Sequence, residues 1–121
     1  MNKEIKKKWI DALLSGDYKQ TQEYLRDDEG YCCLGVLCDI FRKDHNEAQW
    51  VKSGCMFDFF PGGNKDYETV TLPRVVVEWA ELDSIDPDTT EPKIGDSSSL
   101  ANLNDKGYDF KKIVKVIERD F

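Results

Sequence analysis

Apolar positions recur at helical spacing along much of the chain. Ile5, Trp9, Ala12 and Leu13 fall on one stripe and predict a first helix over 3–15, with Gly16 as its stop. Leu34, Leu37, Cys38 and Phe41 predict a second helix over 32–42. Cys33, Val36 and Ile40 widen that stripe until only Gly35, Asp39 and Arg42 interrupt it, and a helix this apolar belongs at the centre of a core. Gly35 costs about 1 kcal/mol of helix propensity relative to alanine, which is tolerable where a neighbouring backbone or a large ring comes close. Leu72, Val75, Val76, Trp79 and Ala80 predict a third helix opened by Leu72-Pro73. Leu100 and Leu103 follow serine cap candidates and mark a short fourth helix. Phe110, Ile113, Val114, Ile117 and Phe121 make a clean last stripe behind the capping Asp109. Lys115 and Arg119 lie toward its negative end, as the helix dipole favours.

Between these stretches the periodicity changes. Residues 17–28 have no clean period but contain Tyr18, Tyr24 and Leu25, so a tight irregular segment or short hairpin is expected, closed by a turn over 28–30. CMFDFF (55–60) and YETVTL (67–72) flank PGGNKD and predict a hairpin. Residues 83–99 combine two prolines, a glycine and many Ser, Thr and acidic residues, the composition of a mobile loop. The expected fold is one α+β domain over 1–121, helix-rich, with about five helices and a small antiparallel sheet or hairpin. Its predicted core comprises Trp9, Leu13, Leu34, Leu37, Cys38, Phe41, Val76, Trp79, Leu103, Phe110, Ile113 and Ile117.

Charge narrows the function classes. The 121 residues carry a formal net charge of −7, which disfavours a nucleic-acid binder whose affinity would rest on Lys and Arg meeting phosphates. Lys111, Lys112, Lys115 and Arg119 give the last two helices a helix-turn-helix outline, but the first of the pair is too short for that role. No apolar run approaches the roughly 20 residues that span a bilayer. The N-terminus is basic and then amphipathic, with Asp11 breaking the stretch a secretory signal would keep apolar, so a cytoplasmic location is expected.

Three of the four cysteines fall within YCCLGVLCD (31–39), a segment open to four readings. A zinc site needs paired ligands at short spacing, and adjacent Cys32 and Cys33 diverge on a helix. A structural disulfide is disfavoured in a reducing compartment. A nucleophilic thiol needs a base, and the one histidine, His45, lies about 10 Å along a helix from Cys38, though Cys33 and Cys55 stay open to it. The favoured reading is reduced thiols filling a core, Cys38 most firmly. Asp86, Asp88 and Glu91 lack the spacing of a calcium loop, and FFPGGNKDY lacks that of a phosphate loop. Asn104-Asp105 before Gly107 reads as turn chemistry rather than catalysis. No catalytic residue, metal ligand or cofactor is assigned.

The segments WIDALLSGDYKQ (9–20), YCCLGVLCD (31–39), Leu72-Pro73 with Trp79, and LANLNDKGYDFKKIVKVIE (100–118) resemble a family of short proteins common in tailed phages and prophages. The resemblance covers most of the chain in order, is weakest over 44–70, and transfers no activity or catalytic residue. It implies a small phage-borne accessory protein acting by binding, with a host protein engaged or inhibited in host takeover or counter-defence. Trp50, Phe57, Phe59, Phe60 and Tyr67 are the candidate interaction residues, because exposed aromatics anchor interfaces. A pocket sequestering a small nucleotide-like ligand is the alternative, with Arg26, Arg42, Lys52 and Arg74 as its scarce cations. A small enzyme is the third reading.

Overall fold

The computed structural model describes residues 1–63 and 66–121. In chain order it contains α1 (Lys3–Leu14), α2 (Cys33–Asp44), β1 (Gln49–Ser53), β2 (Met56–Phe60), α3 (Arg74–Ala80), α4 (Leu100–Asp105) and α5 (Phe110–Asp120). This is the helix-rich α+β architecture that the periodicity predicts. No helix is long and apolar enough to cross a membrane, among the described residues.

Caps fix the helix starts where the sequence offers short polar side chains. Asn2 Oδ1 accepts the Ile5 N–H at 3.1 Å, Ser99 Oγ accepts from Asn102, and Asp109 Oδ1 accepts from Lys112. Helix α3 begins after Pro73, which offers no side-chain cap. It ends at Glu81, whose φ of 58° is left-handed. That residue is held by a contact to α1, since Asn2 Nδ2 donates to Glu81 Oε2 at 3.0 Å.

Helix α2 is the centre of the molecule. Every residue from Cys33 to Phe41 is buried, and α1 and α4 both pack against it, while α5 packs on α1 and α4. The predicted core is found there with one exception: Trp79 is half-buried rather than enclosed. Leu25, Phe59, Leu72 and Leu100 join it with no exposed surface. Gly35 is explained by a backbone rather than a ring. A methyl group built on its Cα would overlap the Leu25 carbonyl oxygen, so α2 and the irregular segment before it touch main chain to main chain. That segment folds onto itself through bridges Gln20 to Tyr31 and Arg26 to Tyr31.

The hairpin differs from expectation. Strand β2 pairs antiparallel with β1, which precedes it, through the two-residue Gly54-Cys55 turn. The predicted partner, 67–72, forms no strand and meets β2 through a bridge from Glu68 to Phe59 and a hydrogen bond from Thr69 Oγ1 to Asp58 (2.9 Å). A turn of two residues brings adjacent strands together with less loop to order than PGGNKD would require. Asn64 and Lys65 of that predicted connection lie outside the described residues. In the observed register Trp50 faces Phe59 and Lys52 faces Phe57.

Residues 83–99, expected to be mobile from composition, are tied to the body at several points. Thr89 and Ser98 exchange hydrogen bonds through Thr89 Oγ1 to the Ser98 carbonyl (2.6 Å) and Ser98 Oγ to the Thr89 carbonyl (3.0 Å). Thr90 donates to the Asp120 carboxylate, and Arg119 pairs with Glu91 at 2.7 Å. The Leu72 N–H donates to the Ile85 carbonyl, and the Leu100 N–H to the Pro87 carbonyl.

Gly35→Ala is expected to lower unfolding free energy by about 1–3 kcal/mol, because the Leu25 backbone has nowhere to retreat. Urea denaturation of both proteins measures it. An unchanged midpoint would mean that the two main chains are not in contact.

Candidate functional site

The cysteines answer the first chemical question. Cys32, Cys33 and Cys38 are buried as free thiols, and Cys55 at the hairpin tip is exposed. Burial pushes the Cys32 thiol up to about 12 and raises Cys33 and Cys38 well above their ordinary value. Cys32 also caps α2, its Sγ accepting the Gly35 N–H at 3.4 Å. No hydrogen bond among the described residues joins a thiol to His45; its Nδ1 lies 2.8 Å from the Phe41 carbonyl, and its ring stacks on Phe41 at 3.8 Å. No cluster of three or more His, Cys, Asp and Glu side chains suited to a metal forms among the described residues.

Two buried polar residues organise the centre, and both reach partners distant in sequence. Asn104 has no exposed surface. Its Oδ1 accepts from Gln20 Nε2 (2.8 Å) and from the Cys33 N–H (3.2 Å), and its Nδ2 donates to the Thr21 carbonyl (2.8 Å). The expected turn role of Asn104 is therefore replaced by a long-range one, joining α4 to the start of α2 and to the irregular segment. Asp39, 4% exposed, is the other. It accepts from Tyr18 Oη (2.6 Å), Arg42 Nε (2.6 Å) and Trp50 Nε1 (3.0 Å). Burial opposes its charge, but these three donors outweigh burial and hold its carboxyl below the usual range. Burial, and then the neighbouring Asp39 carboxylate, push the Tyr18 hydroxyl upward.

Around Asp39 the aromatic side chains continue outward. Tyr31 meets Tyr18 edge-on at 4.9 Å and Trp50 at 5.9 Å. The Arg26 guanidinium lies 4.1 Å from the Phe57 ring centre, 5.0 Å from Tyr31 and 5.7 Å from Trp50. Among the described residues Arg26 makes no ion pair, whereas Arg42 pairs with Asp39 and Lys52 with Asp28 (2.9 Å). Lys43 extends the positive face over Tyr18 at 5.6 Å. Arg26, Arg42 and Lys52 thus converge on one side of the hairpin, while Arg74 lies apart on α3.

The five predicted interaction residues divide. Trp50 and Phe57 belong to this face and are half-buried. Phe59 is a correction, because it is wholly enclosed, touching Phe41 and Trp50 at ring distances of 6.3 and 4.7 Å. Phe60 and Tyr67 meet each other at 5.0 Å, tilted by 37°, on the opposite side of the sheet, Tyr67 being 51% exposed. Strand alternation separates them, since neighbours point to opposite faces. Sequence reading missed Tyr18, Tyr31, Asp39 and Asn104. One signal was present: Asp39 is the sole acid inside the apolar run of α2, and a buried carboxylate requires donors nearby.

The molecule is thus a helix-rich α+β domain whose central helix carries a buried carboxylate beneath an aromatic and arginine-rich face. By sequence the chain belongs to the family described as Domain of unknown function (DUF8296), whose model matches residues 1–121. No curated protein and no solved structure matches it.

Two outcomes follow. In native protein, Ellman's reagent is expected to modify Cys55 quickly and the other three thiols only after denaturation; rapid modification of a second thiol would contradict their burial. Asp39→Asn is expected to cost about 1–3 kcal/mol near neutral pH. Because the folded-state pKa of Asp39 is lowered, its stabilisation is complete above the unfolded carboxyl value of about 3.9 and fades as pH falls toward the folded value. The gap between wild type and variant in urea should therefore narrow below about pH 4. A gap independent of pH would rule out an ionised Asp39.

Proposed function

We propose that this chain is a binding module that engages another protein through the face formed by Arg26, Tyr31, Trp50 and Phe57. The observation that carries the reading is Arg26, stacked among three aromatic rings with no carboxylate partner among the described residues. Trp, Tyr and Arg dominate the energetics of protein interfaces. An arginine already braced by rings loses less freedom on docking than a free one. Its charge, with Arg42 and Lys43 alongside, favours an acidic segment as the complement. In the phage-borne setting that the motifs resemble, the partner is a host protein in the host cytoplasm, engaged or inhibited as part of takeover or counter-defence.

The runner-up is a small nucleotide-like ligand. It is favoured by the same meeting of cations and stacking rings, which suits a phosphate beside a base.

The test immobilises wild type, Arg26→Glu and Arg74→Glu in bacterial lysate. A partner retained by wild type and by Arg74→Glu, lost with Arg26→Glu and released by added salt is the expected result. Retention by Arg26→Glu, or no enriched protein, would overturn the protein-binding reading. In the second case, native mass spectrometry of gently purified protein decides the runner-up: an added mass that Arg26→Glu loses supports it, and apo mass alone removes it.

A further inference from the structure

A second feature lies on α3. The end of α2, α3 and residues 61–63 enclose a groove of about 480 Å³. Phe41, His45 and Trp79 line it, with the Phe41 and His45 rings stacked and Trp79 standing across both at 88° and 84°. Glu47 and Glu78 line it too, and neither makes an ion pair among the described residues. An adjoining depression of about 250 Å³ shares Val75 and Glu78 and adds Asp66 and Glu68, with Arg74 as its one base among the described residues. Trp79, which lines the groove, differs from the other two tryptophans in its hydrogen bonding. The indoles of Trp9 and Trp50 donate to the Cys33 carbonyl and to Asp39, whereas that of Trp79 has no acceptor among the described residues.

Aromatic faces attract cations through their quadrupole, and carboxylates beside them add charge. An indole N–H with no acceptor suits a carbonyl arriving with the ligand. We propose that this groove binds a lysine- or arginine-bearing polypeptide segment, the cationic side chain meeting Glu47 and Glu78 against Trp79 while a segment carbonyl takes the indole N–H. The charge complementarity selects this occupant over an acidic or apolar one. The site is separate from the Arg26 face and of opposite sign, so the inference does not rest on the function proposed above.

The test uses ¹⁵N-labelled protein titrated with an oligolysine peptide and, separately, with oligoglutamate. The indole signal of Trp79, assigned with Trp79→Phe, is expected to move saturably with oligolysine and not with oligoglutamate, while the Trp9 and Trp50 signals stay put. Glu47→Gln/Glu78→Gln, both at exposed positions, is expected to weaken binding about fivefold or more, and Arg26→Glu to leave it unchanged. An unmoved Trp79 signal at about 1 mM peptide, or affinity that the double variant retains, would overturn the proposal. So would self-association lost in the double variant without oligolysine binding, because the occupant would then be the basic α1 of a second copy. Failure of this titration leaves the Arg26 capture result standing, and the reverse holds.

Discussion

The N-terminus of α2 is buried, and a buried helix start is a liability, because its first N–H groups have no partner within the helix. This protein meets that constraint with its own cap residue and with a side chain from elsewhere in the chain. Asn104 of α4 accepts the Cys33 N–H, and Cys32 accepts from Gly35. Since Asn104 also holds Gln20 and Thr21, satisfying the helix fixes the irregular segment at the same time. That segment then presses its Leu25 backbone on Gly35 and delivers Arg26 and Tyr31 to the surface. The outer face of the molecule is thereby a consequence of how one helix end is kept from being orphaned.

The same logic explains what could be read in the sequence. The stripes of α1, α2 and α5 are local patterns in which each residue predicts its neighbours three and four positions away, so these elements were legible. So were the caps Ser99 and Asp109. Pairing of strands is not local. CMFDFF matches either neighbour on hydrophobicity, and the choice fell to the shorter turn at Gly54-Cys55. Phe59 was misplaced for the same reason, because the face it occupies follows from a register that composition does not set. Asn104 looked like a turn residue because nothing in LNDKG indicates a partner on α2. Of the candidate site, Trp50, Phe57 and Arg26 could be named, but their meeting depends on the fold of 17–31, whose sequence has no period to read.

Charge is sorted in this molecule more than its net value of −7 suggests. Lys3, Lys6 and Lys7 line a depression beside α5, Arg26 and Arg42 stand over the hairpin, and Glu47, Glu78, Asp66 and Glu68 gather near α3. A small domain with separated patches of opposite sign can steer different partners to different sides without any one patch being large.

The interior thiols have a last consequence. Cys32, Cys33 and Cys38 are buried, and none is cross-linked. Nothing that holds α2 in place draws on a sulfur–sulfur bond. The fold therefore needs no disulfide, and an oxidant reaching the chain meets the exposed Cys55 at the hairpin tip before it meets the core.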